Sequence, residues 1–237
     1  MDLQGKVAWI AGGARMGLAV GRLLSHEGCR LAFTYRSSRK PAEETAQEIL
    51  ADGGDAITWR CDLTQKTQVE GAAKKMAQHY GRLDILINLS SIYEKGEWDA
   101  HMKTNAESAY ILSVAVAPWM MRAGAGRIVH MADWTSASGR PRYKDYTPYY
   151  VSKAAIQAVV EAMALELAPK VLVNAIAPGP ILPPKGMTAR EYKAVIQATP
   201  LARWGGAEEI AKAVHFLCRT DFMTGETIRV DGGRHLS

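Results

Sequence analysis

The sequence predicts an α/β fold in which about seven parallel strands form a doubly wound sheet with helices on both faces. Short runs rich in β-branched residues alternate with longer segments of helical pattern, as in a parallel sheet with crossover helices. The turn after the first run is rich in glycine. No linker or internal repeat interrupts the chain, and 48% hydrophobic content supports a sizeable core, so we expect one domain over residues 1–237.

The strands and helices are expected to alternate along the whole chain. The first helix follows the glycine-rich turn, and the fifth begins where Thr147 can cap a helix and Pro148 suits its first position. The β-rich runs predict strands at residues 6–11, 30–35, 56–60, 85–89, 127–131, 171–176 and 227–230. The intervening segments predict helices at about 17–27, 41–52, 67–80, 101–122, 149–168 and 207–217.

The glycine-rich turn is a candidate phosphate site. Open α/β sheets bind ligands beyond the carboxyl ends of their strands. The run 11–18 places Gly12, Gly13 and Gly17 at the end of the first strand, where small residues let the backbone approach a pyrophosphate at a helix N-terminus. The spacing differs from the common G-x-G-x-x-G, and a plain loop is the alternative.

The end of the second strand indicates which dinucleotide would bind. A cofactor with a free ribose 2′-hydroxyl usually meets Asp or Glu there, whereas the segment 35–40 offers cations and hydroxyls, among them Tyr35, Arg36 and Ser37. This favours a 2′-phosphate and therefore NADP(H). The alternative is a solvated basic turn.

Tyr149 and Lys153 form a candidate proton-transfer pair. Residues four apart share a helix face, so the phenol and the ammonium would point into one site. An adjacent cation favours phenolate and moves the phenol toward the useful range for proton transfer. An exposed pair without function is the alternative.

Charge and cysteine content exclude several other classes. The net charge of +5 is mild, and Lys and Arg are scattered among Asp and Glu, which suits an anionic cofactor better than nucleic acid. Cys29, Cys61 and Cys218 lack metal-ligand spacing, so we expect no metal and a reducing, cytoplasmic compartment. We also expect no signal peptide and no membrane span, because no apolar run is long enough.

These motifs, in this order, resemble the short-chain dehydrogenase/reductase family over essentially the whole chain. The resemblance implies a Rossmann-type fold and a catalytic Tyr-x-x-x-Lys at Tyr149 and Lys153, in which the lysine lowers the phenol pKa and holds the cofactor ribose. It also implies that Asn105 anchors a water relay and that Asp62 faces the adenine. The implied cofactor-binding residues are Gly12, Arg15, Met16, Gly17, Tyr35, Arg36, Ser37, Asp62, Leu63, Asn88, Ser90, Tyr149, Lys153, Pro178, Gly179 and Ile181.

At three places the chain departs from the usual family pattern, and there it resembles the pteridine reductases most. Arg15 stands in a shortened phosphate turn, and the motif after the fourth strand reads Asn88-Leu89-Ser90-Ser91 where most relatives have Asn-Asn-Ala-Gly. Asp133 occupies the place where most relatives carry the catalytic serine. The catalytic set is therefore expected to be Asn105, Asp133, Tyr149 and Lys153.

Asp133 bears on the chemistry, since an ionised carboxylate only accepts hydrogen bonds and opposes phenolate formation on a neighbouring tyrosine. Such a site suits proton delivery to a substrate nitrogen or binding of an amino-substituted heterocycle. The alternative is that Asp133 is a salt-bridged surface residue and that Ser136 or Ser138 replaces the family serine.

One position disagrees with the pteridine resemblance. Pteridine reductases stack the substrate on an aromatic side chain soon after the fourth strand, where this chain has Ile92. Tyr93 or Trp134 is an alternative source of an aromatic face. The proline-rich segment 180–187 is expected to form a semi-rigid lid.

The sequence thus predicts an NADPH-dependent reductase that transfers hydride to a C=N or C=O bond of a small substrate, with pteridines among the candidates. The alternatives are a carbonyl reductase for ketones, 3-oxoacyl thioesters or quinones, or a dinucleotide-sensing protein without turnover. The family resemblance also implies a homo-oligomer, a tetramer or a dimer, in which helices near 101–122 and 149–168 pair across subunits.

Overall fold

Seven parallel strands form one twisted sheet in the computed structural model, which describes residues 1–13, 15–184 and 186–237. Apolar, mostly buried segments make up the strands, as expected for a sheet covered on both faces. The order across the sheet is β3-β2-β1-β4-β5-β6-β7. The strands are β1 (Val7–Ala11), β2 (Arg30–Tyr35), β3 (Asp55–Arg60), β4 (Ile85–Asn88), β5 (Gly126–Met131), β6 (Val171–Pro178) and β7 (Thr227–Val230).

Helices cover both faces of this sheet. The helices α1, α2 and α9 share one hydrophobic core with one face, and α3, α5 and α7 share a second core with the other. The helices are α1 (Gly17–His26), α2 (Arg39–Ala51), α3 (Lys66–Tyr80), α4 (Trp98–His101), α5 (Ser108–Ala123), α6 (Trp134–Ala137), α7 (Thr147–Leu167), α8 (Ala189–Gln197) and α9 (Ala207–Arg219). The predicted doubly wound fold is confirmed.

Several local predictions need correction. The predicted helix at 101–122 is divided, because a π-helical segment, Met102–Glu107, joins α4 to α5. Thr147 does not cap α7: the helix begins at Thr147 itself, after Tyr146, and Pro148 lies in its first turn. The prediction also missed α8, which follows the proline-rich segment.

The order of the strands places the ends of β1 and β4 side by side at the centre of the sheet, where the direction of winding reverses. In open α/β sheets this is the place where ligands bind. Within the described residues, no helix is both long and apolar enough to cross a membrane.

Candidate functional site

A cavity of about 860 Å³ runs along the carboxyl edge of the sheet. Residues that follow all seven strands line it, from Gly12 after β1 to Arg234 after β7, so its walls come from the segments at the carboxyl ends of the strands. Ligand sites typically have this size and position.

The glycine-rich turn lies at one wall of the cavity and requires glycine. Gly12 and Gly13 have positive φ angles of 71° and 80°. A Cβ atom on Gly13 would lie 2.3 Å from the Leu89 Cβ, and one on Gly12 would lie 3.0 Å from the Ser90 Cβ. The turn leads into α1 at Gly17, whose N-terminus favours an anion. These features fit a bound phosphate group. Ala14, which belongs to the same turn, lies outside the described residues.

Arg15 connects this turn to the segment after β6, because its guanidinium donates to the carbonyl oxygen of Pro183. Both residues are on loops, and Arg15 lines the cavity. The segment predicted as a lid therefore contacts the predicted phosphate turn directly. Lys185 of that segment lies outside the described residues.

The end of β2 presents cations and hydroxyls, with Arg36 and Ser37 on the cavity wall. Asp62 lies nearby, and its carboxylate accepts hydrogen bonds from the backbone and hydroxyl of Thr64. Burial alone would raise the pKa of Asp62, but these hydrogen bonds and the charges of Arg36 and Arg60 hold it below its usual value. The donors and charges at this end fit a 2′-phosphate next to an adenine.

Asp133 and Tyr149 meet in the wall of the cavity. The Tyr149 hydroxyl donates to Asp133 Oδ2 at 2.8 Å, and both side chains are buried. The other carboxylate oxygen accepts from the backbone N–H of Thr135 at 2.8 Å and from its hydroxyl. Burial, and then the negative charge of Asp133, raise the pKa of Tyr149 well above 10, so the phenol stays protonated.

The serines considered as substitutes for Asp133 face other groups. The Ser136 hydroxyl donates to the Asp133 carbonyl oxygen and accepts from Gln157, while the Ser138 hydroxyl donates to the carbonyl oxygen of Trp134. Asp133 is thus the residue that contacts Tyr149, and it is neither exposed nor salt-bridged among the described residues.

Lys153 is fully buried beside this pair. Its ammonium donates to the Met131 carbonyl oxygen at 2.7 Å and lies 5.9 Å from the centre of the Tyr149 ring. Burial lowers the pKa of Lys153 to about 8, and Asp133 partly opposes this shift. The pKa of Tyr149 is raised overall, so burial and Asp133 outweigh the lowering of the phenol pKa that was expected from Lys153.

Two asparagines expected at the site lie behind the cavity wall. The Asn105 side chain, in the π-helical segment, accepts from the Ile92 N–H at 3.0 Å and donates to the Ser152 hydroxyl at 3.0 Å. The Asn88 amide oxygen accepts from Ser90. Neither asparagine lines the cavity, so these side chains hold its loops in place.

Aromatic side chains lie beside Tyr149 in the cavity. The Tyr93 ring lies edge-on to Tyr149, with centroids 4.9 Å apart, and Trp134 lies edge-on to Tyr143 at 6.4 Å. Tyr93, Trp134, Tyr143 and Ile92 all line the cavity. An aromatic face is therefore present near Tyr149 although Ile92 does not supply it.

Most of the predicted residues share this one cavity. Its lining includes Gly12, Arg15, Met16, Gly17, Tyr35, Arg36, Ser37, Asp62, Leu63, Ser90, Asp133, Tyr149, Lys153, Pro178, Gly179 and Ile181. Sequence reasoning missed Tyr143, Trp204, Arg234 and the α8 residues Glu191, Ala194 and Val195. The T-A-R-E run at 188–191 was an available signal for α8, since it forms a capping box. No motif marked Arg234.

In the described ranges, no three His, Cys, Asp or Glu side chains are grouped to hold an ion. His130 is a buried hydrogen-bonding residue. Its Nδ1 lies 3.3 Å from the Asn88 amide nitrogen, and its Nε2 lies 2.8 Å from the Ser113 hydroxyl. Burial lowers the pKa of His130 to about 3, so the ring is neutral. An amide donor at Nδ1 assigns the ring proton to Nε2.

Known proteins resemble this chain over its whole length. A family model described as Enoyl-(Acyl carrier protein) reductase matches residues 11–235. The 3-oxoacyl-[acyl-carrier-protein] reductase FabG of Vibrio cholerae is 30% identical over 250 residues, covering 100% of both chains. The corresponding protein of Staphylococcus aureus is 29% identical and covers 98% of both chains.

Solved structures give the same fold. A short-chain dehydrogenase/reductase from Serratia marcescens superposes with a TM-score of 0.91 at 30% identity, covering 99% of this chain and 100% of the other. The FolM alternative dihydrofolate reductase 1 from Brucella canis, complexed with NADP, has a TM-score of 0.91 at 26% identity and covers 100% of this chain and 96% of the other.

Proposed function

The chain belongs to the short-chain dehydrogenase/reductase family and is an oxidoreductase, and on that premise we propose that it reduces a C=N bond of a pteridine-like heterocycle with NADPH. Enzymes of this family use nicotinamide dinucleotides and act on small molecules. The observation that carries the proposal is the buried hydrogen bond from Tyr149 to Asp133. In the family pattern that this chain resembles, a serine is expected at the place of Asp133.

The choice of NADPH rests on the end of β2. Arg36 and Ser37 line the cavity where an acidic residue would meet a free 2′-hydroxyl. A guanidinium binds phosphate through two parallel hydrogen bonds. The NADP bound by the Brucella FolM protein is consistent with this assignment.

Tyr149 and Lys153 would provide for the proton transfer. Bound NADPH would supply the hydride to the carbon of the C=N bond. Tyr149 is protonated, so its hydroxyl can give a proton to the nitrogen, and the two transfers together reduce the bond. Lys153, charged below about pH 8, would hold the cofactor ribose and stabilise the phenolate left behind.

Asp133 would select the substrate. Its carboxylate can accept a hydrogen bond from an amino or ring N–H of the substrate, but it cannot donate to a carbonyl oxygen. A 2-amino-4-oxo heterocycle offers such N–H groups. Tyr93 and Trp134 offer ring faces in the same cavity.

A second candidate is reduction of a 3-oxoacyl thioester. It is favoured by the full-length similarity to the FabG proteins, whose printed names describe that activity. In this case Tyr149 would protonate the carbonyl oxygen, and Asp133 would serve only to orient the phenol.

Self-association is part of the proposal. Tyr110 on α5 and Leu165 on α7 are 52% and 85% exposed, so apolar side chains lie on the outer faces of the two helices expected to pair across subunits. We propose a homo-oligomer that buries these faces, which light scattering on the purified protein would test.

The reaction can be tested by following NADPH oxidation with purified protein. One arm would contain dihydropteridines, and the other would contain 3-oxoacyl thioesters, diketones and quinones. We expect turnover in the pteridine arm and a preference for NADPH over NADH. Turnover only in the second arm would support the carbonyl alternative, and silence in both arms would refute the proposed reaction.

A further inference from the structure

Arg234 is a cation in the cavity wall that no expected cofactor contact uses. It belongs to the short 3₁₀ helix Arg234–Leu236 after β7, and it lines the cavity together with Trp134 and Tyr143. Its guanidinium carbon lies 5.4 Å from the centre of the Trp134 ring, over the ring face. The cation is therefore held against an aromatic wall of the cavity.

The tail that carries Arg234 is fixed by its own hydrogen bonds. The Asp231 carboxylate accepts from the backbone N–H groups of Gly233 at 3.0 Å and His235 at 3.1 Å. Arg234 Nη1 donates to the Ala198 carbonyl oxygen and to the Ser237 hydroxyl. These contacts hold the guanidinium in place through one of its nitrogens.

The rest of the guanidinium is available to a ligand. Among the described side chains, no salt bridge includes Arg234. The Glu191 carboxylate, which also lines the cavity, is instead occupied by the Thr188 N–H and hydroxyl. A half-buried guanidinium on an aromatic face, with unused donors, suits a planar oxyanion.

From this arrangement we infer that Arg234 recognises an anionic group, a carboxylate or a phosphate, on the substrate's side chain. The inference deepens the proposed function, on which it rests: the reduced heterocycle would carry an acidic tail that passes along the Trp134 wall. Arg36 and Arg234 would then bind the charged ends of cofactor and substrate in one cavity, which Tyr149 and Asp133 also line.

Paired substrates that differ in charge would test this role. Dihydrofolate carries carboxylates on its tail and dihydrobiopterin carries none; acetoacetyl-coenzyme A and acetoacetyl-N-acetylcysteamine form the matching pair for carbonyl chemistry. We expect Arg234→Gln to raise KM for the anionic member about tenfold to hundredfold relative to the neutral member, with a smaller change in kcat. Arg234→Lys should recover part of the loss because it keeps the charge.

Arg229→Gln is the matched control. Arg229 is an exposed arginine of β7 that also donates to a backbone carbonyl, that of Ala137, but it lies outside the cavity. Its substitution should leave the ratio of the two KM values unchanged, and urea unfolding would verify that both variants fold.

The outcomes separate the two proposals. An equal KM change for both members of a pair, or an equal effect of Arg229→Gln, would overturn the role of Arg234. Turnover of the carbonyl pair alone would overturn the pteridine assignment, while the KM ratio within that pair would still decide on Arg234. If neither pair is reduced, the affinities of the NADP-saturated protein for folate and for pterin test the role of Arg234 instead. Folate binding that weakens in Arg234→Gln supports this role, and any other result overturns it.

Discussion

Replacing Tyr149 with phenylalanine removes one oxygen atom from the wall of the cavity. That oxygen donates to Asp133 Oδ2 at 2.8 Å, with both side chains less than a tenth exposed. A buried hydrogen bond to a charged acceptor contributes about 1.5–3 kcal/mol, so we expect the free energy of unfolding to fall by about this amount. Asp133 keeps its two hydrogen bonds from Thr135, so the carboxylate should remain close to its present position.

The effect on catalysis should be larger. Loss of a positioned general acid typically lowers turnover by about 10²- to 10⁴-fold. NADPH binding should persist, because the contacts proposed for the adenine and phosphates lie at the other end of the cavity. Steady-state turnover with a dihydropteridine, fluorescence titration of NADPH and urea unfolding measure the three quantities separately.

Tyr146→Phe is the control for this experiment. Tyr146 stacks on Tyr93, with ring centroids 5.1 Å apart, but it does not line the cavity. Its substitution should leave turnover near the wild-type rate. Wild-type turnover in Tyr149→Phe, or an equal loss in Tyr146→Phe, would refute the assignment of Tyr149 as the acid.

Three further predictions concern the cofactor side and the turn. Arg36→Ala should weaken NADPH binding about tenfold to hundredfold and leave NADH binding nearly unchanged, as measured by fluorescence titration; equal effects on both would exclude a 2′-phosphate contact. Lys153 has its pKa lowered to about 8, so its charged form is lost as pH rises through that value. NADPH affinity should therefore fall above pH 8 in the wild type, whereas Lys153→Arg, which stays charged, should give a flat profile. Gly13→Ala should lower the unfolding free energy by about 2–4 kcal/mol, because a Cβ would overlap Leu89 at a positive φ of 80°, while Gly17→Ala, with no atom nearer than 3.9 Å, should cost less; similar urea midpoints would contradict this.

The sheet was predictable because its strands are buried on both faces. Largely apolar runs such as 171–176, in which Asn174 is the one polar residue, then identify strands without any partner, and the observed strand β6 differs only by continuing to Pro178. The helix α8 escaped prediction because it has no buried residue and follows a proline-rich segment, so only its capping box marked it. The π-helical segment was also missed, because its sequence pattern does not distinguish it from the α-helices on either side.

The site was predictable where a backbone requirement or a fixed spacing marks a residue. The glycines of the turn and the Tyr149–Lys153 spacing are of this kind. The direction of the Tyr149 pKa shift was harder, because it depends on how deeply the phenol is buried and on its contact with Asp133. Arg234 reaches the cavity from the far end of the chain, and such a contact depends on the fold and leaves no local pattern.

We propose that the Asp133–Tyr149 pair adapts the cavity to a nitrogen heterocycle. The most direct test of this proposal is the ratio of kcat/KM for a dihydropteridine to kcat/KM for a 3-oxoacyl thioester, measured in the wild type and in Asp133→Ser. We expect a ratio above one in the wild type and a marked fall in the variant, because serine supplies a hydroxyl donor for carbonyls and removes the carboxylate acceptor for N–H groups. A wild-type ratio below one, or a ratio that Asp133→Ser leaves unchanged, would contradict it.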